Sequence, residues 1–104
     1  MELISSRQNE RVKQVRALRD RRARDTYGTF FAEGRRLVQA AVESGAEIEQ
    51  LVVAPERLDG DDMGLMETLG RLHLPMLEVT PEVFDSLSFR EEGQSLGAVV
   101  LQRW

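Results

Sequence analysis

The sequence contains no cysteine, one histidine, one tryptophan, one tyrosine and three prolines in 104 residues. Without cysteine there can be no disulfide framework, thiolate zinc site, iron–sulfur cluster or cysteine nucleophile. With His73 as the single imidazole, a catalytic triad or metal site would have at most one histidine to draw on. No apolar run approaches the roughly 20 residues that cross a bilayer. The opening stretch MELISSRQNE has no hydrophobic centre of the kind a signal peptide needs. A chain of this length suits one domain, here residues 1–104, and leaves no room for a second catalytic domain of ordinary size. The expected class is a soluble, cytoplasmic, single-domain protein without membrane or metal partners.

What the sequence does have is charge, unevenly placed. The net value of −4 averages two opposed segments. Residues 1–36 carry ten basic and five acidic side chains, whereas residues 37–104 carry four basic and 13 acidic ones. Between Arg7 and Arg24, eight of 18 residues are basic and two are acidic. An acidic average would argue against a nucleic-acid partner, but binding follows the local field and not the total.

The basic stretch reads as a helix. Val12, Val15 and Leu18 recur every three residues behind Asn9, the expected N-cap, with Ser5 or Ser6 as alternatives. The next turn offers Arg22 where an apolar residue belongs. Either the helix ends near Asp20, or Arg22 lies along the core edge with its guanidinium in water. So many like charges at helical spacing repel one another, which points to an anionic partner.

Beyond Gly28 strands and helices alternate. Thr29 to Ala32 reads as a strand ending at Glu33-Gly34, followed by a helix with Leu37, Val38, Ala41 and Val42 on its core face and Gly45 as its stop. Ile48 to Ala54 is a second strand. The turn-rich Leu58 to Asp62 leads into a helix carrying Leu65, Met66, Leu69 and Leu72, and Leu74 to Val79 is a third strand. Thr80-Pro81 caps a short helix with Val83, Phe84 and Leu87, and Leu96 to Gln102 is a last strand. Alternation of this kind predicts an α/β fold with a small, mostly parallel four-stranded sheet and helices on both faces, a three-layer α/β/α sandwich.

Several motifs fail on spacing. Asp59-Gly60-Asp61-Asp62 opens like a calcium loop, but Met63 and Gly70 stand where oxygen ligands are required. Gly93-Gln94-Ser95-Leu96-Gly97 does not present serine as a nucleophile elbow does. His73, at a helix end before a strand, reads as a cap for carbonyls. Glu91-Glu92 reads as a solvated loop. No phosphate loop of the Walker or dinucleotide type occurs.

Two features remain. Arginine and lysine of the first segment can neutralise phosphates, and arginine also contacts them in bidentate fashion. Tyr27, near Arg24, offers a stacking surface. At Glu33-Gly34-Arg35-Arg36, Gly34 permits a tight turn. The helix that begins there exposes free N–H groups beside two arginines, an arrangement suited to an anion.

These residues carry a family resemblance. Ile4-Ser5-Ser6, Asn9, Val12-Lys13, Leu18, Arg21 or Arg22, and then Phe30-x-x-Glu33-Gly34-Arg35 resemble the N-terminal substrate-binding domain of SpoU-type (TrmH-family) RNA 2′-O-ribose methyltransferases. The segments Val79 to Ser88 and Gly97 to Val100 continue the likeness across nearly the whole chain. It implies a domain similar to kink-turn-binding ribosomal proteins, with structured ribosomal or transfer RNA as partner. It also implies a following knotted domain that binds S-adenosylmethionine and forms a homodimer. The isolated domain is expected to be a monomer without a cofactor or catalytic residue of its own. The expected RNA-facing set, from the charge pattern and the Gly34 junction, is Arg7, Asn9, Lys13, Arg16, Arg19, Arg21, Arg22 and Arg24, with Tyr27, together with the turn Glu33, Gly34, Arg35 and Arg36. The alternatives are a free-standing kink-turn-type RNA-binding protein and a protein-interaction module.

Overall fold

The computed structural model describes residues 3–89 and 93–102, so the Glu91-Glu92 pair lies outside it. Asn9 caps helix α1 (Glu10–Ala17), its Oδ1 accepting from the backbone N–H of Arg11 at 2.9 Å and of Val12 at 3.2 Å. The helix stops at Leu18 and a second begins at once: the Asp20 side chain accepts from the Arg22 N–H and caps α2 (Arg21–Tyr27). Of the two placements open to Arg22, the early stop holds. Arg22 is exposed on a helix that buries none of its residues, and the sequence pattern gave no sign of that helix because it has no apolar stripe. Gly28, at φ 68°, ends α2 and turns the chain into the sheet.

The sheet has strands β1 (Thr29–Glu33), β2 (Ile48–Val53), β3 (Met76–Glu78) and β4 (Leu96–Leu101), in the order β1-β4-β2-β3. Helices α3 (Arg35–Glu43), α4 (Met63–Arg71) and α5 (Pro81–Leu87) fill the connections. The expected mostly parallel sheet is instead mixed. Among the four strands, only β2 and β3 pair in parallel, while β4 runs antiparallel to both of its neighbours, β1 and β2. The reason lies in the last connection. Helix α5, of seven residues and about 10 Å long, does not carry the chain back along the sheet. The chain re-enters where β2 finishes, with Leu96 beside Val53. Ahead of α1, Ile4 extends the sheet by a parallel bridge to Val79.

Alternate strand residues feed two core clusters. Phe31, Val52, Leu77 and Val99 pack with Val12, Val15 and Leu18 of the α1 segment and with Val83, Phe84 and Leu87 of α5. Ala32, Leu51, Val53, Ala98 and Val100 pack instead with Val38 of α3 and with Leu65 and Leu69 of α4. Leu37, expected on the core face of α3, is 48% exposed. The inner face is set by Val38, Ala41 and Val42, and the residue before Val38 is rotated about 100° away from it. Leu72 is likewise exposed, because α4 ends one residue earlier. His73 follows in the left-handed region at φ 53°, and its backbone N–H closes the turn on the Gly70 carbonyl at 3.4 Å.

Candidate functional site

The end of β1, the first turn of α3, the turns that follow β2 (residues 57–62) and the approach to β4 (residues 93–95) line an open cleft of about 480 Å³. Gly34 makes the junction. Its φ of 96° and ψ of 156° suit glycine, and its N–H donates to the Leu96 carbonyl at 2.9 Å, tying the junction to β4. No side chain caps α3, and Arg35, Arg36 and Leu37 of its first turn line the cleft, with Arg36 exposed.

The other two cleft arginines are held by carboxylates. Arg35 donates from Nη1 to Asp62 Oδ1 at 3.0 Å and stands 3.5 Å from Asp59. Its pKa is raised, chiefly by the Asp62 hydrogen bond; burial opposes the rise, and the charges of Asp62, Asp59 and Asp61 add to it. Asp62 is itself buried and accepts from the Ser95 hydroxyl and the Asp59 N–H, both at 3.1 Å. Across the cleft, Arg57 clasps Asp85 at 2.7 and 2.9 Å and reaches the Gln94 carbonyl at 3.3 Å. That bidentate pair raises the Arg57 pKa and lowers that of Asp85, the hydrogen bond being the largest cause in each case.

Glu33, expected in the ligand-facing turn, is only 4% exposed. Its carboxylate accepts from the Ser88 hydroxyl and, at 2.9 Å, from the Phe89 N–H. It therefore anchors the segment leaving α5. In the basic segment, too, several residues serve the fold. Arg16 is partly buried and donates to Ser86 Oγ at 2.9 Å, to the Ser86 carbonyl at 3.4 Å and to the Arg7 carbonyl at 3.1 Å, joining α1 to α5. Arg24 donates to the carbonyls of Leu18 at 2.9 Å and Arg19 at 3.0 Å, at the free end of α1. Lys13 is 3.8 Å from Glu10, and Arg21 is 3.9 Å from Asp25, both on exposed faces.

Arg7, Arg19, Arg22 and Tyr27 are exposed, as is Arg11, which sequence reasoning did not single out. Arg57, Asp62 and Phe89 were missed as well. Arg57 had a faint signal, as one of only four basic residues in an acidic stretch, just after a proline-initiated turn. Asp62 falls in an acidic turn that leads into a helix, where nothing in the sequence marks it as buried. The basic segment and the Gly34 junction are bridged by one short run from much later in the chain. Phe89 takes Arg19 over its ring and gives its N–H to Glu33.

Among the described residues, no cluster of three His, Asp or Glu side chains is placed to hold a metal ion, and no helix is long and apolar enough to cross a membrane.

This architecture is shared with part of several RNA methyltransferases. A crystal structure of an RNA 2′-O ribose methyltransferase superimposes with a TM-score of 0.89 at 30% identity, over 98% of this chain and 38% of that one. An rRNA methyltransferase from Sinorhizobium meliloti matches at 0.77 and 30% identity, over 99% of this chain and 38% of its own. The SpoU methyltransferase AviRb from Streptomyces viridochromogenes, solved with AdoMet, matches at 0.81 and 26% identity, over 93% and 37%. The chain thus spans less than two-fifths of the length of these structures. No curated protein sequence matches it. Residues 9–98 match the MRM3-like substrate binding domain. The chain belongs to that family, and the resemblance to SpoU-type, TrmH-family enzymes drawn from Asn9, Glu33-Gly34-Arg35 and their spacing is borne out.

Proposed function

We propose that this chain is the RNA-recognition domain of a 2′-O-ribose methyltransferase and holds a folded ribosomal or transfer RNA so that one ribose reaches a catalytic domain. The match of residues 9–98 to a substrate-binding family carries this reading. The domain's contribution to rate would be positional, since a correctly held nucleotide makes methyl transfer effectively intramolecular.

The exposed cations Arg7, Arg19, Arg21, Arg22 and Arg36 supply phosphate contacts. Arg16, Arg24 and Arg35, whose guanidinium groups are engaged within the fold, set the shape of that surface. Asn9 keeps α1 in place, and Glu33 and Gly34 shape the cleft. Recognition is mainly of shape and unpaired bases, because the major groove of A-form RNA is too narrow to read.

S-adenosylmethionine belongs to another part of the parent enzyme. The cleft here is walled by Glu33, Arg35, Arg57, Asp59 and Asp62, and Leu37 is its one large apolar side chain. That lining does not suit an adenine ring, and no step of methyl transfer falls to these residues. The same reading includes a single domain over residues 1–104 with three-layer stacking like that of kink-turn-binding ribosomal proteins. It also includes a cytoplasmic setting, and a monomer whose parent dimerises through its catalytic domain.

The test is a salt titration of RNA binding by fluorescence anisotropy. With about five phosphates neutralised, log K falls with log salt at a slope of about −3 to −5. Arg22→Ala and Arg36→Ala each reduce that slope by about 1 and leave the melting temperature within about 2–4 °C of the parent's. Absence of binding to ribosomal or transfer RNA at low salt refutes the proposal.

A further inference from the structure

Phe89 is the most exposed phenylalanine among the described residues, at 54%, while Phe84 is fully buried and Phe31 nearly so. Single exposed apolar side chains are ordinary. This one is set apart by how firmly it is placed and by what lies over it. Its backbone N–H is held by the buried Glu33 carboxylate, which also takes the hydroxyl hydrogen of the preceding Ser88. The backbone is thus pinned to the end of β1 while the ring faces solvent.

The guanidinium carbon of Arg19 stands 5.3 Å from the ring centroid, within cation–π range. The Arg19 backbone is held from its own side of the molecule, where Arg24 donates to the Arg19 carbonyl at 3.0 Å. Two separately anchored segments therefore deliver an aromatic face and a delocalised cation to one exposed spot. That spot lies between the basic helix and the cleft at Gly34. The pair has little to gain for the fold in this position, since the ring forfeits most of its burial.

We propose that Phe89 and Arg19 form a stacking site for one unpaired base of the bound RNA, an inference that rests on the RNA-recognition reading above. Any base presents a π-face, so the site selects for being unpaired and not for sequence. The planar guanidinium can stack in turn and bind the phosphate of the same nucleotide. Bases within a duplex are already stacked, so the site favours hairpin loops and bulges.

The experiment compares binding of the 104-residue chain to a fluorescein-labelled RNA hairpin with an unpaired loop and to a fully paired duplex of equal length. Phe89→Ala is expected to weaken hairpin binding by roughly fivefold to a hundredfold, the usual effect of removing a base-stacking aromatic. The salt slope should stay unchanged because no phosphate contact is lost. Phe89→Trp should retain hairpin affinity, Phe89→Leu should lose it, and all three variants should bind the duplex as the parent does. Wild-type hairpin affinity in Phe89→Leu overturns the stacking site, as does equal loss on hairpin and duplex with a shallower salt slope. In either case the RNA-recognition reading survives, because the parent chain still binds. Failure of the parent to bind either RNA at about 50 mM salt overturns both readings.

Discussion

Replacing Glu33 by alanine separates the two roles open to this residue, ligand contact and internal anchor. In the structure the carboxylate is buried and accepts two hydrogen bonds, from Ser88 Oγ and from the Phe89 N–H. A hydrogen bond to a charged group contributes about 1.5–3 kcal/mol. The Phe89 N–H lies next to an exposed side chain and can turn to water, so the two losses together come to about 2–4 kcal/mol. For a domain of this size the melting temperature should fall by about 8–20 °C. Glu33→Gln keeps an amide oxygen for the Phe89 N–H and an NH₂ group that the Ser88 hydroxyl can accept from. It should cost only about 1 kcal/mol. Urea unfolding followed by circular dichroism gives the free energies, and RNA anisotropy on the same samples below their melting point gives binding. A Glu33→Ala protein within about 0.5 kcal/mol of the parent, yet more than tenfold weaker on RNA, would refute the anchor and make Glu33 a direct contact.

Gly97→Ala places a methyl carbon 2.4 Å from Cζ of Phe31 and 3.1 Å from the Ala32 carbonyl oxygen. Phe31 is itself buried against Phe84, with ring centroids 6.2 Å apart. Overpacking of this kind costs about 1–3 kcal/mol, so calorimetry should show a melting point lower by about 4–15 °C. A change under about 1 °C would mean that the Phe31 ring yields freely. Asp85→Asn breaks the pair with Arg57. Because the carboxylate is half exposed, the loss at neutral pH should stay under about 1 kcal/mol. The folded-state pKa of Asp85 is lowered by Arg57, so the pair stabilises above the unfolded carboxylate pKa and fades as pH falls through the folded one. Parent and variant should therefore converge in stability on acidification below about pH 4, and a gap independent of pH would exclude this linkage.

Local chemistry made much of this molecule legible in its sequence. Asn9, Thr80-Pro81 and Gly45 mark helix ends because caps and left-handed stops act within a few residues. The runs that became β2 and β4 announced themselves by hydrophobicity alone. The opposition between a basic first third and an acidic remainder is likewise a property of the chain and not of its folding. The family pattern around Glu33-Gly34-Arg35 was equally readable.

What the sequence left open depended on which distant groups meet. The direction of β4 follows from where a short α5 releases the chain, and periodicity within a strand says nothing of its neighbours' direction. A count of arginines treats all as equal, whereas folding divides them. Arg16, Arg24 and Arg35 find internal carbonyls or carboxylates, and Arg22 and Arg36 stay in water. Glu33 meets Ser88 and Phe89 across 55 and 56 positions of chain, and Arg57 meets Asp85 across 28. Charge and propensity are carried by each residue and can be read in order. Burial and partnership exist only between residues, and here the tertiary structure decided which charges hold the domain together and which remain for a ligand.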